Sequence, residues 1–131
     1  MNGIDFVAAA VAALATLGVG AIWYAPPIFG DAWAREAGLT EKPPREKAIR
    51  TMVIAYLISL VVTCTLSWLL GPSPAFDHAL WSCTLIGAVL VGGSYAINTA
   101  FGGRSWRMFL IDSGYHTLQF AAFGAILSLM G

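Results

Sequence analysis

The sequence predicts an all-α integral membrane protein: a four-helix bundle with a short interfacial helix in its first cytoplasmic loop. Three observations point there. Hydrophobic residues make up 58% of the 131 and charged residues only 11%, against roughly 25% charge in soluble domains. Four apolar stretches each approach the ~20 residues that a helix needs to cross the hydrocarbon layer. Finally, every Lys and Arg lies in or beside two of the connections between those stretches. One transmembrane domain over residues 1–131 holds all four spans, at about 4–25, 51–70, 79–100 and 106–130.

The first span contains Thr16 as its mid-span polar residue and is stopped by Pro26 and Pro27, each of which removes a backbone donor and disfavours helix in the residue before it. Met1 to Phe6 lacks the basic start of a signal peptide, so this span is read as retained. Trp23 and Tyr24 fall at the inner interface, where amphipathic rings are favoured. Asp31 to Ala37 suits a short surface helix closed by Gly38, with Trp33 dipping into the headgroups. Pro43 and Pro44 suit the start of the second long helix, whose first turns carry Arg45, Glu46, Lys47 and Arg50 and whose end is Gly71-Pro72. At about 27 residues it would be ~40 Å long and protrude from the core. The third span breaks at Phe101-Gly102-Gly103, and Ser105 caps the fourth. The short turn makes the last two helices antiparallel neighbours.

Seven basic and seven acidic residues cancel, so no basic surface for nucleic acid is expected. Their placement sets orientation. Arg35, Lys42, Arg45, Lys47 and Arg50 precede the second span, Arg104 and Arg107 lie at the turn between the third and fourth, and the connection from Gly71 to His78 has neither Lys nor Arg. Basic connections stay in the cytoplasm, which places both termini on the periplasmic side.

Tyr24-Ala25, Phe29-Gly30 and Trp33 recur in order as Tyr95-Ala96, Phe101-Gly102 and Trp106. Two parallel helical-hairpin repeats would produce this pattern. Chance alignment of interfacial aromatics and turn glycines would too.

Because lipid is as apolar as Leu, small residues that permit close approach mark helix contacts. Ala8, Ala12, Thr16 and Gly20 form one such ridge; Thr84, Ala88, Gly92, Ala96 and Ala100 form another; Ser113, Thr117 and Ala121 form a third. The lipid-facing area left over points to a homo-oligomer.

Chemistry concentrates on the fourth span. Asp112, Tyr115, His116 and Gln119 follow the i, i+3, i+4, i+7 rule and share a face. An ionised Asp near a helix centre costs about 2.5–3.5 kcal/mol on insertion scales, so it should face protein or water. Asn98, with Ser94 and Tyr95 one turn above it, is the expected partner, and Arg104 and Arg107 can snorkel toward the carboxylate. Tyr56, Ser59, Thr63 and Ser67 form a second polar stripe, and the two stripes would line a narrow polar path. One reading is proton or small-cation handling by Asp112 and His116, since His exchanges protons near neutral pH. A structural hydrogen-bond knot is the second, and binding of a ligand or lipid headgroup is the third. No catalytic residue is assigned, because no Gly-x-Ser-x-Gly elbow accompanies Ser, His and Asp. No cofactor or metal site is expected: His78 beside Asp77 reads as solvated loop, and the two His and two Cys lack zinc spacing. Cys64 and Cys83 lie at similar depth and read as two core thiols, with a disulfide as the alternative. The rival to a transporter or channel is an accessory or scaffold subunit of a larger membrane complex. A lipid-active enzyme using Arg35, Arg45 and Arg104 would lack a nucleophile.

Two motifs, one from Trp23 to Trp33 and one from Asn98 to His116, together resemble the bacterial domain-of-unknown-function 1761 family of small multi-span membrane proteins. Trp23, Tyr24, Pro26, Phe29, Gly30 and Trp33 match its aromatic-Pro-Phe-Gly-Trp pattern, and Asn98, Phe101, Arg104, Leu110, Ile111, Asp112, Gly114, Tyr115 and His116 match its later part. Ala25 stands where Ser or Gly is expected and Gly102 where Glu is common. The resemblance implies a bacterial inner membrane and carries no activity.

Overall fold

The computed structural model describes residues 3–39 and 44–131. Lys42 and Pro43, used above for orientation and for the second helix's start, lie outside them. Five helices follow one another: α1 (Phe6–Trp23), α2 (Asp31–Ala37), α3 (Arg45–Leu70), α4 (Phe76–Gly102) and α5 (Trp106–Met130). No strand occurs among the described residues.

The helix ends obey the local chemistry of their residues. Asp5 caps α1 by accepting from the Ala8 N–H at 3.0 Å, and extended Ala25 (ψ 140°) breaks the chain before Pro26. A π turn over Pro26–Gly30 then leads directly into α2. Gly38, Gly71 and Gly103 end α2, α3 and α4 with positive φ, the conformation glycine adopts without penalty. Ser105 caps α5 as expected, accepting from the Met108 N–H at 3.2 Å.

Three of these helices, α1, α3 and α4, are long and apolar enough to cross a membrane. The fourth expected span, α5, has the length at 25 residues but falls outside that set, since Asp112, His116 and Gln119 dilute its hydropathy. The packing accounts for this. α5 lies against α1, α2 and α4 and touches α3, so its polar side chains face protein. Its buried row of Ile111, Asp112, Tyr115, Gln119, Phe120, Phe123, Gly124 and Leu127 meets Ala8, Ala12, Leu66 and Cys83 in the core.

The first small-residue ridge is where the sequence places it: Ala8, Ala12 and Thr16 are buried, and Gly20 stands against the Tyr115 ring. The ridge expected on the third span is corrected. Ala88 and Ala100 are exposed, and the buried row runs Ala79, Cys83, Gly87 and then Gly92 and Thr99. A π segment over Ile86–Val91 holds an extra residue in its turn, which rotates the later residues relative to a four-residue repeat. At Gly87 a Cβ would lie 2.8 Å from the His116 carbonyl, and at Gly124 one would lie 2.4 Å from that of Ala79. α4 and α5 therefore approach backbone to backbone, as antiparallel neighbours should.

α3 packs on α1 and buries only Ser59, Thr63, Leu66 and Ser67. The polar stripe expected to line a path is instead bonded to α1. Tyr56 donates to the Ala10 carbonyl at 2.9 Å and Thr63 to that of Ala9 at 2.9 Å, while Ser67 accepts from the Asp5 N–H at 2.9 Å. Cys64 and Cys83 are free thiols. Cys83 is turned against Gly124 of α5, whereas Cys64 lines a groove with Ile4, Phe6 and Ala10.

Candidate functional site

Asp112, 5% exposed, is held by two phenols. Tyr24 donates to one carboxylate oxygen and Tyr95 to the other at 3.1 Å. Tyr24 comes from the last residue before α1 is broken, Tyr95 from the part of α4 that the π segment has turned inward. Each carboxylate oxygen thus receives a proton donor from a different helix, and both donors are neutral.

The motif around Tyr24 supplies its support. Its ring lies between those of Trp33 (centroids 6.0 Å) and Tyr115 (5.3 Å). Trp23 donates its indole N–H to the Ile111 carbonyl at 2.8 Å and stacks on Phe29 at 4.5 Å. Gly114 makes room for it, since a Cβ there would lie 2.7 Å from the indole. At Gly30 a Cβ would fall 2.2 Å from the Tyr24 carbonyl, which only a glycine avoids at this π turn after Pro26. Trp33, expected to dip into the headgroups, stands edge-on to the Tyr24 ring. It folds back over Tyr24 because α2 packs on α5, and its indole N–H is buried without a partner among the described residues. Glu36 accepts from the Ser105 hydroxyl, which ties α2 to the first turn of α5.

A second set of bonds runs deeper. His116 Nδ1 meets Gln119 Oε1 at 2.8 Å, and the Gln119 amide donates to Thr16 Oγ1 at 2.8 Å. Thr16 Oγ1 lies 2.6 Å from Ser59 Oγ, and Tyr115 donates to the Thr16 carbonyl at 2.8 Å. An amide oxygen can only accept, so Nδ1 carries the hydrogen of this bond and Nε2 points away from it. The imidazole touches the rings of Tyr95 (6.0 Å) and Tyr115 (5.0 Å). Through these rings the two sets adjoin.

Of the residues the sequence singles out, Asp112, Tyr115, His116 and Gln119 are brought together with the Trp23–Trp33 motif. Asn98 is not, and Arg104 reaches the cluster only through its charge, which is felt at Tyr95. Asn98 is exposed, because the buried face of this part of α4 runs through Tyr95 and Thr99. Arg104 is exposed too; it follows left-handed Gly103 and bonds through its backbone N–H to the Thr99 carbonyl at 3.2 Å. Sequence reading missed Tyr24 as a partner of Asp112, treating it as an interfacial ring, and missed Thr16 as a junction. The available signal for Thr16 was its being the mid-span polar group of an otherwise apolar helix. No group of three or more metal-ligating side chains occurs among the described residues.

The clasp on Asp112 thus joins an aromatic-Pro-Phe-Gly-Trp segment to an Asp-x-Gly-Tyr-His segment 88 positions later. The model of the family described as protein of unknown function (DUF1761) matches residues 7–128. The chain belongs to this family. Both segments lie inside the matched DUF1761 region, so the clasp is built wholly from it. No curated protein and no solved structure matches the chain.

Proposed function

We propose that this member of the DUF1761 family is a bacterial inner-membrane protein of four crossings in which Asp112 and His116 handle a proton. The observation that carries the reading is the Asp112 clasp: a buried carboxylate whose oxygens both accept from neutral hydroxyls. An acid held this way inside an apolar bundle is a functional candidate by default. A proton on Asp112 needs only that one phenol hydroxyl turn to accept from it, whereas a metal cation would have to displace the phenols. His116, against the ring of Tyr95, is the neighbouring group able to exchange that proton.

In this reading α5 is the fourth crossing, shielded from lipid by its neighbours. The Arg45 and Arg104 connections face the cytoplasm and both termini the periplasm. The descent from two parallel hairpin repeats draws support from Tyr24 and Tyr95. These corresponding positions of the two halves bind the two oxygens of one carboxylate.

Reconstitution into proteoliposomes with an internal pH dye, together with infrared titration of the carboxyl band, tests the proposal. The native chain should show a pH-dependent carboxyl band and proton movement that Asp112→Asn abolishes. Absence of flux together with an unchanged band in the variant would discard it.

A second reading, an accessory subunit of a larger membrane complex, is favoured by α3. From Arg45 to Ile58 this helix has no buried residue. Purification in mild detergent separates the two, because recovery of this chain alone counts against the accessory role.

A further inference from the structure

We infer that the outward face of α4 bearing Ser94 and Asn98 is the contact surface for a second copy of this chain, lying beside it in the same orientation. The inference rests on the membrane-crossing part of the reading above and is independent of the proton step.

Asn98 is a polar side chain left over. Threonines on exposed or half-buried helix faces turn back onto their own helix, Thr51 to Lys47, Thr65 to Val61 and Thr84 to Leu80, which hides their hydroxyls from hydrocarbon. Asn98 and Ser94 are exposed and have no hydrogen-bond partner among the described residues. They lie one turn apart, and Phe101 continues their face at 91% exposure. Leu90 and Ile97, also exposed, flank them, so the amide sits within an apolar surface. Acyl chains cover Leu, Ile and Phe equally well, but they offer an amide nothing to bond with.

The chemistry of Asn selects the partner. Copies inserted in the same direction can pair about a two-fold axis along the membrane normal. Residues near that axis then meet themselves at equal depth. Asn carries both donors and an acceptor, so two Asn98 amides satisfy one another across the axis; an Asp or Arg there would repel its own copy. α4 also has the surface to spare. Only 17% of its apolar window is buried, against 28% for α1 and 22% for α3. At Gly93, beside Ser94, a Cβ would meet nothing within 4 Å, so a second backbone can come close.

The test is cysteine cross-linking of the full chain in membranes, in a Cys64→Ala background whose remaining Cys83 is fully buried. Ser94→Cys should give a dimer band on mild oxidation, and Leu57→Cys, exposed on α3, should not. Asn98→Leu should weaken dimerisation in mild detergent about three- to tenfold, as expected for losing one or two interhelical hydrogen bonds, and Asn98→Gln should restore most of it. A monomeric Ser94→Cys variant, equal cross-linking through Leu57→Cys, or a dimer unaffected by Asn98→Leu would overturn the inference. Asp112→Asn should leave the Ser94→Cys band intact, so loss of proton movement and loss of this contact are separately visible.

Discussion

Thr16 shows how much a single hydroxyl can organise once water is excluded. Its oxygen accepts from Gln119 and contacts Ser59, and its carbonyl accepts from Tyr115, so three helices meet at one residue. Interhelical bonds in bilayers contribute about 0.6 kcal/mol each on average, but stranding a buried donor costs about 1–3 kcal/mol. Thr16→Val strands the Gln119 amide and should lower stability by about that amount. Thr65→Val, which removes a bond to its own helix, should leave the melting temperature in detergent nearly unchanged. Gly114 makes a steric case. Ala there would place its Cβ 2.7 Å from the Trp23 indole, and overpacking of this kind costs about 1–3 kcal/mol. Gly114→Ala should therefore lower the melting temperature and shift tryptophan emission as Trp23 is displaced from the Ile111 carbonyl.

Among the elements, α5 departs most from what its composition alone implies. Its polar residues would oppose insertion next to lipid, yet they point at α1 and α4. The close approach to α4 depends on glycines. Gly124→Leu must push against the Ala79 carbonyl and the Cys83 side chain, and it should separate α4 from α5, read as a loss of thermal stability well beyond that of Ala125→Leu on a half-buried position. At the other end, Ser105 serves α5 and α2 together, capping the Met108 N–H and donating to Glu36. Ser105→Ala should cost about 1 kcal/mol from the lost cap and also loosen α2, seen as faster hydrogen exchange over residues 31–37 than Arg107→Ala produces.

The whole molecule is a row of helices in which α5 is enclosed and α3 lies outermost against α1. Among the described residues, two clefts of about 560 and 500 Å³ lie near Ile4 and Phe6. Neither is lined by Asp112 or His116; Asp112 stands about 9 Å along α5 from Trp106, nearer the Arg104 end of the bundle than the other. Proton access should therefore be one-sided. In oriented proteoliposomes, the Asp112 carboxyl band should respond to pH on the side that labels Arg104→Cys and be insensitive to pH on the other. Labelling of Arg45→Cys and Arg104→Cys from the same side is the corresponding expectation for topology.

Much of this was readable in the linear chain. Proline, glycine and Ser105 mark the helix ends because they act through local backbone chemistry, and the ridge from Ala8 to Gly20 follows from regular helical spacing. The shared face of Asp112, Tyr115, His116 and Gln119 follows from that same spacing. What lay beyond the sequence depends on how one helix is turned against another. The buried face of α4 runs Ala79, Cys83 and Gly87, and the π segment then breaks the four-residue period, so the face resumes at Gly92 and Thr99 and leaves Asn98 outside while Tyr95 reaches Asp112. The fold-back of α2 brings Trp33 over Tyr24. A sequence records which side chains can bond, and only the packed helices decide which of them meet, since a hydrogen bond requires its two atoms within about 3 Å and no local rule carries that information across 88 positions.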